Sequence, residues 1–258
     1  MKLVFKYIAM HFKSQIEYRS SFILSFFAQI LPTALSAAMV FVLLDKFNFS
    51  DKFDTYEVML AVSIVQFGFG FSECFFRGFD KFSDIIKNGT LDLMLIKPRN
   101  IYLQIFGSNI QFTKLSRIIG PLVLFIVALN KLSFDKSVVN ILLLIGLLVF
   151  SSLIYMSLYI LAACLCFKTI EGLEFTNIFT DGSREFGQYP MGIFKKEVLV
   201  FFTYLIPIAC VNYYPVMYIL GKSNSILYLI SPLFCFILFI IAIFTFNKCM
   251  AHYASSGS

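Results

Sequence analysis

The sequence predicts an all-α polytopic membrane protein. Of the 258 residues, 59% are hydrophobic and 14% are charged, and the mean hydropathy is +0.83. Soluble domains carry about 25% charged residues, so this composition excludes an ordinary soluble globular domain. The apolar residues form continuous runs, which favours membrane helices over the alternating strands of a transmembrane β-barrel. We therefore predict a single transmembrane domain over residues 1–258.

The segment before the first long apolar run has the pattern of an amphipathic helix. Residues 1–20 are predicted to form a helix that lies in the membrane interface, with Lys side chains beside its apolar stripe. A simple anchoring helix and a role in transmission are both compatible with this pattern. The apolar positions that recur at helical spacing are Phe5, Ile8, Phe12 and Ile16.

Six apolar stretches are candidates to cross a bilayer, whose hydrocarbon core of ~30 Å requires about 20 helical residues. The third stretch crosses only if it begins near Phe112, with Lys114 and Arg117 extending back to the interface. The fourth is longer than a crossing requires, which predicts a tilted or protruding helix. The predicted spans cover residues 21–44, 56–76, 112–130, 138–167, 197–212 and 226–247.

The distribution of basic residues predicts the orientation. Most of the 21 Lys and Arg residues lie before residue 21, between residues 77 and 117, or between residues 168 and 196. The positive-inside rule then places these segments and both termini in the cytoplasm of a multi-pass cell-membrane protein. Topology and anionic lipid are sufficient to explain the net charge of +6, so we predict no nucleic-acid partner.

The sequence contains no catalytic or metal-binding constellation. The two histidines, His11 and His252, lie at opposite ends of the chain, and no phosphate-binding or hydrolase motif is present. The six cysteines lie in or beside apolar runs, where they are typical buried hydrophobes. We predict that the chain is not an enzyme and binds no metal.

One carboxylate is predicted to lie inside a span. Glu73 is about one turn from the end of the second span, and Arg77 follows four residues later, at pairing distance on a helix. Ionisable residues within a membrane are commonly functional. We favour a structural Glu73–Arg77 ion pair over a functional carboxylate.

The long cytoplasmic loop, residues 77–103, carries the most informative local pattern. A short amphipathic helix is predicted from Phe79 to Lys87, and Asn88 and Gly89 provide a stop signal. An apolar patch over residues 91–96 follows. An exposed apolar patch requires a partner surface, which is either the membrane or another protein.

Residues 88–98, NGTLDLMLIKP, resemble the G-x-L-D-x-x-L-x-K-P signature of permease subunits in the ABC-2 type transporter family, in its six-helix branch. Further matches extend the resemblance over essentially the whole chain. It implies an ABC type-2 exporter-like fold. The other matching segments are residues 188–194 (QYPMGIF), 206–207, 211–215, 220–221 and 253–258.

The resemblance implies that ATP is hydrolysed by a different subunit from this one. ATP and Mg would be bound by a separate ABC ATPase, because this chain has no phosphate-binding loop, and it would bind no cofactor itself. The loop of residues 77–103 would be the coupling element that contacts the ATPase; that it only lies on lipid stays an alternative. The implied contact residues are Ile85, Ile86, Asn88, Gly89, Leu91, Asp92, Leu95, Lys97 and Pro98.

Two prolines lie in and just beyond the fifth predicted span. Pro207 and Pro215 remove backbone hydrogen bonds, and such irregular backbone at membrane depth is tolerated where it packs in protein or lines a cavity. By the resemblance, residues 212–222 would form a re-entrant segment. Its candidate outer-gate residues are Asn212, Tyr213, Tyr214 and Pro215. An interfacial tyrosine belt is the alternative interpretation.

These observations predict a permease subunit that exports an amphiphilic or hydrophobic substrate. By the resemblance, it would pair with a second permease subunit, identical or similar, and with the ATPase. A membrane scaffold or immunity-type protein that does not transport is the main alternative. A membrane-embedded enzyme is disfavoured because the sequence lacks a catalytic constellation.

Overall fold

The computed structural model describes residues 2–46, 54–169 and 175–253, and within them every regular element is helical, as predicted. In the first part of the chain the elements are α1 Lys2–Glu17, α2 Arg19–Lys46, α3 Thr55–Phe75, α4 Arg77–Asp80, α5 Phe82–Lys87, α6 Thr90–Ile96, α7 Ile101–Phe106, the 3-10 turn Phe112–Leu115, α8 Ser116–Lys131 and α9 Val138–Thr169. In the second part they are α10 Phe175–Gly187, the 3-10 turn Met191–Ile193, α11 Lys196–Tyr204, α12 Ala209–Asn212, α13 Tyr214–Ile219, α14 Ile226–Ile230 and α15 Leu233–Ala251.

Four helical segments in the described parts are long and apolar enough to cross a membrane. They are α3, the 3-10 turn with α8 (Phe112–Lys131), α9, and α14 with α15 (Ile226–Ala251). A fifth candidate exists only if α11 and α12–α13, which meet at a bend of 95°, count as one span. The first predicted span falls on α2, a helix of 28 residues. An all-α fold with several candidate membrane spans is confirmed, whereas the count of six spans and the roles predicted for the interfacial and coupling helices stay predictions.

Helix α3 lies at the centre of the bundle and packs against α8, α9, α10 and α12. Two glycines allow its neighbours to approach closely, as small residues do between membrane helices. A Cβ atom on Gly68 would lie 2.1 Å from Ser151 Oγ of α9. A Cβ atom on Gly70 would lie 2.3 Å from the backbone oxygen of Arg117 in α8.

The bundle has two apolar cores, one at each end. One end contains α4–α7 and the last turns of α15, and its core includes Phe79, Phe82 and Phe246. We name α4–α7 the coupling loop, after the role predicted for it, and this end the coupling-loop end. The opposite end, which we name the distal end, contains the first turns of α3 and α9. Its core is built from α3, α8, α9 and the segments α11–α13.

Helix α1 is present, and it contacts the bundle through polar residues as well as through Phe12 of the predicted apolar stripe, whose ring centre lies 5.3 Å from that of Phe112. His11 Nε2 lies 2.8 Å from the backbone oxygen of Gly107, and Gln15 Nε2 donates to Ile110 O at 2.6 Å. Phe5 is 65% exposed and Phe12 is 44% exposed. The polar face of α1 therefore holds the segment before α8, and the placement of its apolar side in the membrane interface stays a prediction.

The segment of residues 168–196 departs from its predicted place wholly on the cytoplasmic side. Its central part forms α10, which runs antiparallel to α3 along the bundle. The Arg184 guanidinium carbon lies 4.7 Å from the centre of the Phe69 ring, and Gly187 packs against Val65. Met191, just beyond α10, lines the same small cavity as Val58 at the distal end. Sequence analysis assigned this polar segment to water, because its composition lacks an apolar run.

We predict that Gly68→Ala destabilises the fold while Gly146→Ala does not. Both glycines are inside helices, so both changes gain the same helix propensity of ~1 kcal/mol. Only at Gly68 must the added methyl displace a neighbouring backbone, since the nearest atoms of Ser151 lie 2.1–2.7 Å away and nothing lies within 4 Å of the Gly146 position. Overpacking of this kind costs ~1–3 kcal/mol.

Thermal unfolding of the purified protein in detergent measures this difference. Gly68→Ala should melt at a lower temperature than Gly146→Ala. Equal melting temperatures for the two variants would contradict the close packing of α3 on α9.

Candidate functional site: the coupling loop and the buried charges behind it

The coupling loop folds as a compact group of four short helices, α4–α7, around the Phe246 side chain of α15. Phe246 is fully buried, and its ring centre lies 5.3–5.7 Å from those of Phe79, Phe82, Tyr102 and Phe167. Aromatic pairs at such distances are stabilised beyond simple burial. The loop is thereby attached to the ends of α9 and α15 and is not a free segment.

Local backbone geometry defines the helices of the loop. Gly89 has φ of 63°, in the left-handed region where glycine carries no steric penalty, and it separates α5 from α6. The predicted stop at Asn88 and Gly89 thus coincides with a real break. The helix predicted from Phe79 to Lys87 is instead two helices that meet at Lys81.

The predicted contact residues of the loop divide into a buried and an exposed set. Leu91 is 0% exposed and Ile85 is 8% exposed, and both pack in the core beneath the loop. Leu95 is 47% exposed. Ile86, Gly89 and Asp92 are partly buried, whereas Asn88, Lys97 and Pro98 are exposed.

The exposed apolar surface of the loop lies at the end of α6. Leu93 is 59% exposed and Ile96 is 80% exposed, and with Leu95 they form what we name the α6 ridge. Leu93 and Ile96 belonged to the predicted apolar patch but not to the predicted contact set. Leu91 and Leu95 are one helical turn apart, so spacing alone does not separate the buried residue from the exposed one.

Two of the segments that carry the family resemblance, residues 88–98 and residues 253–258, contact each other in the structure. The side chain of Tyr253, just beyond α15, hydrogen-bonds to Asp92 of α6 and packs on Phe167. Burial raises the pKa of Tyr253, and the nearby Asp92 carboxylate raises it further. Residues 254–258 of the predicted motif lie outside the described residues.

Behind the loop, Glu73 is the centre of a buried ionic cluster. Its side chain is 5% exposed. Lys114 Nζ donates to Glu73 Oε1 at 3.0 Å, and Arg117 Nη1 donates to Glu73 Oε2. The predicted partner Arg77 is more distant, with Nη1 at 3.7 Å from Oε1.

Lys114 and Arg117 do not extend toward the interface as predicted but turn inward to Glu73. They are more than 40 residues from it in the chain, so periodicity gave no sign of the pairing. The available signal was general: a carboxylate inside a span requires buried cations of similar depth. Lys114 Nζ also donates to Gln29 Oε1 of α2 at 3.4 Å, so the cluster joins α2, α3 and α8.

The cluster continues into the first turn of the loop. Arg77 Nη1 lies 3.3 Å from Asp80 Oδ2. Burial raises the pKa of the Asp80 carboxyl; Arg77 opposes this shift, and the negative charges of Glu73 and Asp181 of α10 add to it. Asp181, in the middle of α10, is therefore within electrostatic range of α4.

The candidate outer-gate residues lie in α12, in α13 and between these two helices. Asn212 is 3% exposed, and its Nδ2 donates to the backbone oxygen of Gly187 at 3.1 Å. Tyr214 OH lies 2.9 Å from Thr203 Oγ1, and its ring packs against Tyr213 and Tyr228. Pro215 is buried in the first turn of α13. The structure thus brings these residues together at the distal end, with Asn212 fastening α12 to the end of α10.

Within the residues that the structure describes, no group of three His, Cys, Asp or Glu side chains could hold a metal ion. The cysteines there are free thiols, and five of the six are buried. What the arrangement provides is a fixed mechanical connection. The loop surface is joined to the bundle through the Phe246 core and the Glu73 cluster.

We predict that Glu73→Gln strongly destabilises the protein, whereas Glu57→Gln has little effect. Removal of one partner from a buried ion pair costs ~3–5 kcal/mol, because the remaining charges stay buried without compensation. Glu57 pairs with Lys222, and their side chains are 12% and 34% exposed. Because water reaches the Lys222 ammonium group, loss of this pair should cost much less than loss of the fully buried one, about 1 kcal/mol.

Melting temperature in detergent tests this prediction, and the double variant Glu73→Gln with Arg117→Met provides a second test. Removal of both charges should recover part of the lost stability. A Glu73→Gln protein as stable as the Glu57→Gln control would contradict a buried ionic cluster.

Comparison with known proteins agrees with the motifs and the fold. The family model described as ABC-2 family transporter protein matches residues 30–257, which is most of the chain. No curated protein and no solved structure is significantly similar to the chain. With a multi-pass helical fold and a match of this extent, the chain belongs to the ABC-2 transporter family and is a membrane-embedded permease of the ABC transporter class.

Proposed function

We propose that the chain is the permease subunit of an exporter that is driven by a separate ATPase, which binds ATP and Mg. The observation that carries this proposal is the α6 ridge. It is an exposed apolar surface on a loop that is otherwise fixed by buried aromatic and ionic contacts. An exposed apolar patch on a rigid element is typical of a protein interface.

The ridge has the features expected of a coupling surface. Lys97 and Pro98 border it, and Leu93, Leu95 and Ile96 project from it. Because Leu91 of the same helix is locked into the Phe246 core, displacement of the ridge displaces the ends of α9 and α15. Closure of two ATPase subunits would thus be transmitted to the spans. This orientation puts the loop and both termini on the cytoplasmic side of the cell membrane.

The substrate path is proposed to run along α10. Its surface away from α3 exposes Asn177, Asp181 and Glu185 beside Ile178 and Phe186. Charged side chains at membrane depth avoid lipid and face water or protein. A path with both charged and apolar side chains suits an amphiphilic passenger that moves outward between this chain and a second permease subunit.

We predict that Leu95→Asp or Ile96→Asp weakens association with the ATPase subunit by about tenfold or more, as truncation of an interface anchor does. Val138→Asp, a matched change of an exposed apolar residue at the distal end, should leave association unchanged. Co-purification of the ATPase with each variant from membranes measures the effect.

The same experiment distinguishes the ATPase from lipid as the partner of the ridge. Unchanged ATPase association together with normal insertion would contradict the coupling assignment. The lipid alternative predicts that result and, in addition, weaker membrane retention of an isolated loop segment.

We predict that a cysteine at Glu185 is accessible to water, whereas a cysteine at Val149 is not. Val149 is 58% exposed on α9, on an apolar face expected to contact lipid. In a background with the native cysteines replaced by alanine, a charged thiol reagent should modify Glu185→Cys about tenfold faster, because the reactive thiolate forms only in water. The rate should change when a nonhydrolysable ATP analogue is bound to the complex. Equal, slow rates at both positions would contradict an aqueous path along α10.

A further inference from the structure

An apolar groove runs along the distal half of α9. Side chains of residues 139–150 that share one face of α9 form one wall, and α13, α14 and the start of α15 form the other. The groove has a volume of about 450 Å³. This volume falls in the range of roughly 300–1,000 Å³ that small-molecule sites occupy. Every residue that lines it is apolar, including Leu142, Ile219 and Leu233.

A polar pocket continues the groove at its distal end. It has a volume of about 410 Å³ and shares Ile219 with the groove. Its polar lining consists of Asn140, Tyr218, Ser223 and Asn224. These side chains are uncharged, and Lys222 between them in the chain is paired with Glu57. The combined site is therefore apolar along its length and polar, without charge, at one end.

The dimensions of the groove match one leaflet of a bilayer. With a rise of 1.5 Å per residue, the wall from residue 139 to residue 150 is ~16 Å long. Half of a hydrocarbon core of ~30 Å is about the same length. The polar pocket then lies at the level of the lipid head groups, and the groove lies alongside the hydrocarbon chains.

The groove opens directly onto the lipid-facing surface of the protein. Leu142 on one wall is 62% exposed and Leu233 on the other is 52% exposed, so both walls continue into outward apolar faces. At Gly146 a Cβ atom would meet nothing within 4 Å, which shows that the absent side chain leaves the groove open. A molecule already dissolved in the bilayer can therefore enter sideways without passing through water.

We propose that this site binds one lipid of the distal leaflet, with a hydrocarbon chain in the groove and a neutral, hydroxyl-bearing head group in the pocket. The amide and hydroxyl side chains of the pocket match such a head group in hydrogen bonding. A phosphate would find no Arg or Lys among the lining residues, and these are its usual partners. The site requires neither ATP nor the coupling loop, so its test is independent of the proposed transport function.

The test uses the full-length protein in phosphatidylcholine vesicles that contain a trace of diacylglycerol with a photoreactive diazirine on one chain. After irradiation, mass spectrometry of peptides locates the adducts, which are expected in residues 139–150 and 214–219. Gly146→Phe, which fills the groove, should lower these adducts at least about fivefold by excluding the chain. Val123→Phe, the same residue added at an exposed apolar position of α8 that does not line the groove, should not lower them.

Competition identifies the head group. Unlabelled diacylglycerol should displace the probe from the wild-type groove, and Tyr218→Phe with Asn224→Ala should weaken this displacement. Adducts spread evenly over the apolar faces of α9, unaffected by Gly146→Phe, would overturn the site in favour of ordinary surrounding lipid. Stronger displacement by phosphatidylglycerol would overturn the neutral head group. A second permease copy seated in the groove would block adduct formation and would give a dimer crosslinked through the groove. This result would also overturn the proposal.

Discussion

The carboxylate of Glu73 is the constraint on which the arrangement of the bundle depends. A charge removed from water inside an apolar bundle is tolerated only if cations and hydrogen bonds compensate it. Lys114 and Arg117 provide that compensation, and their positions in turn fix the 3-10 turn and the start of α8 against α3. Lys114 also reaches Gln29, which brings α2 to the same point. Compensation of one buried charge thus sets the relative positions of three long helices.

The coupling loop begins one turn beyond that point and is held in place by ion pairs and by an aromatic core. Arg77 and Asp80 extend the ionic cluster into α4. The aromatic side chains of the loop pack around Phe246 of α15. A flexible loop would absorb a displacement of its surface, whereas a packed core transmits it. Tyr253, just beyond α15, adds a further attachment at Asp92. Packed side chains and ion pairs therefore connect the helices of the loop to α3, α9 and α15.

Sequence reasoning reached the features that depend on local composition. Long apolar runs predicted a helical membrane fold, and Asn88 with Gly89 marked a real helix break, because a left-handed backbone selects for glycine. It did not separate buried Leu91 from exposed Leu95, since the two are one helical turn apart. Only the packing of Leu91 and Met94 on the core shows which side of α6 is buried. The pairing of Glu73 with Arg117 depends on helix packing across many residues, which a local pattern does not encode.

Helix α10 shows why the position of a segment in a membrane protein does not follow from its composition alone. Its residues read as an aqueous loop, yet Arg184 lies over Phe69 and Gly187 lies against Val65, deep along α3. The face opposite these contacts bears Asp181 and Glu185, whose charges are poorly suited to lipid. Helix α10 thus packs in the bundle through small and polar side chains, including Thr180 and Ser183, while its outward face is charged. Such a face needs water or protein beside it, and a path enclosed by a second permease subunit would supply both.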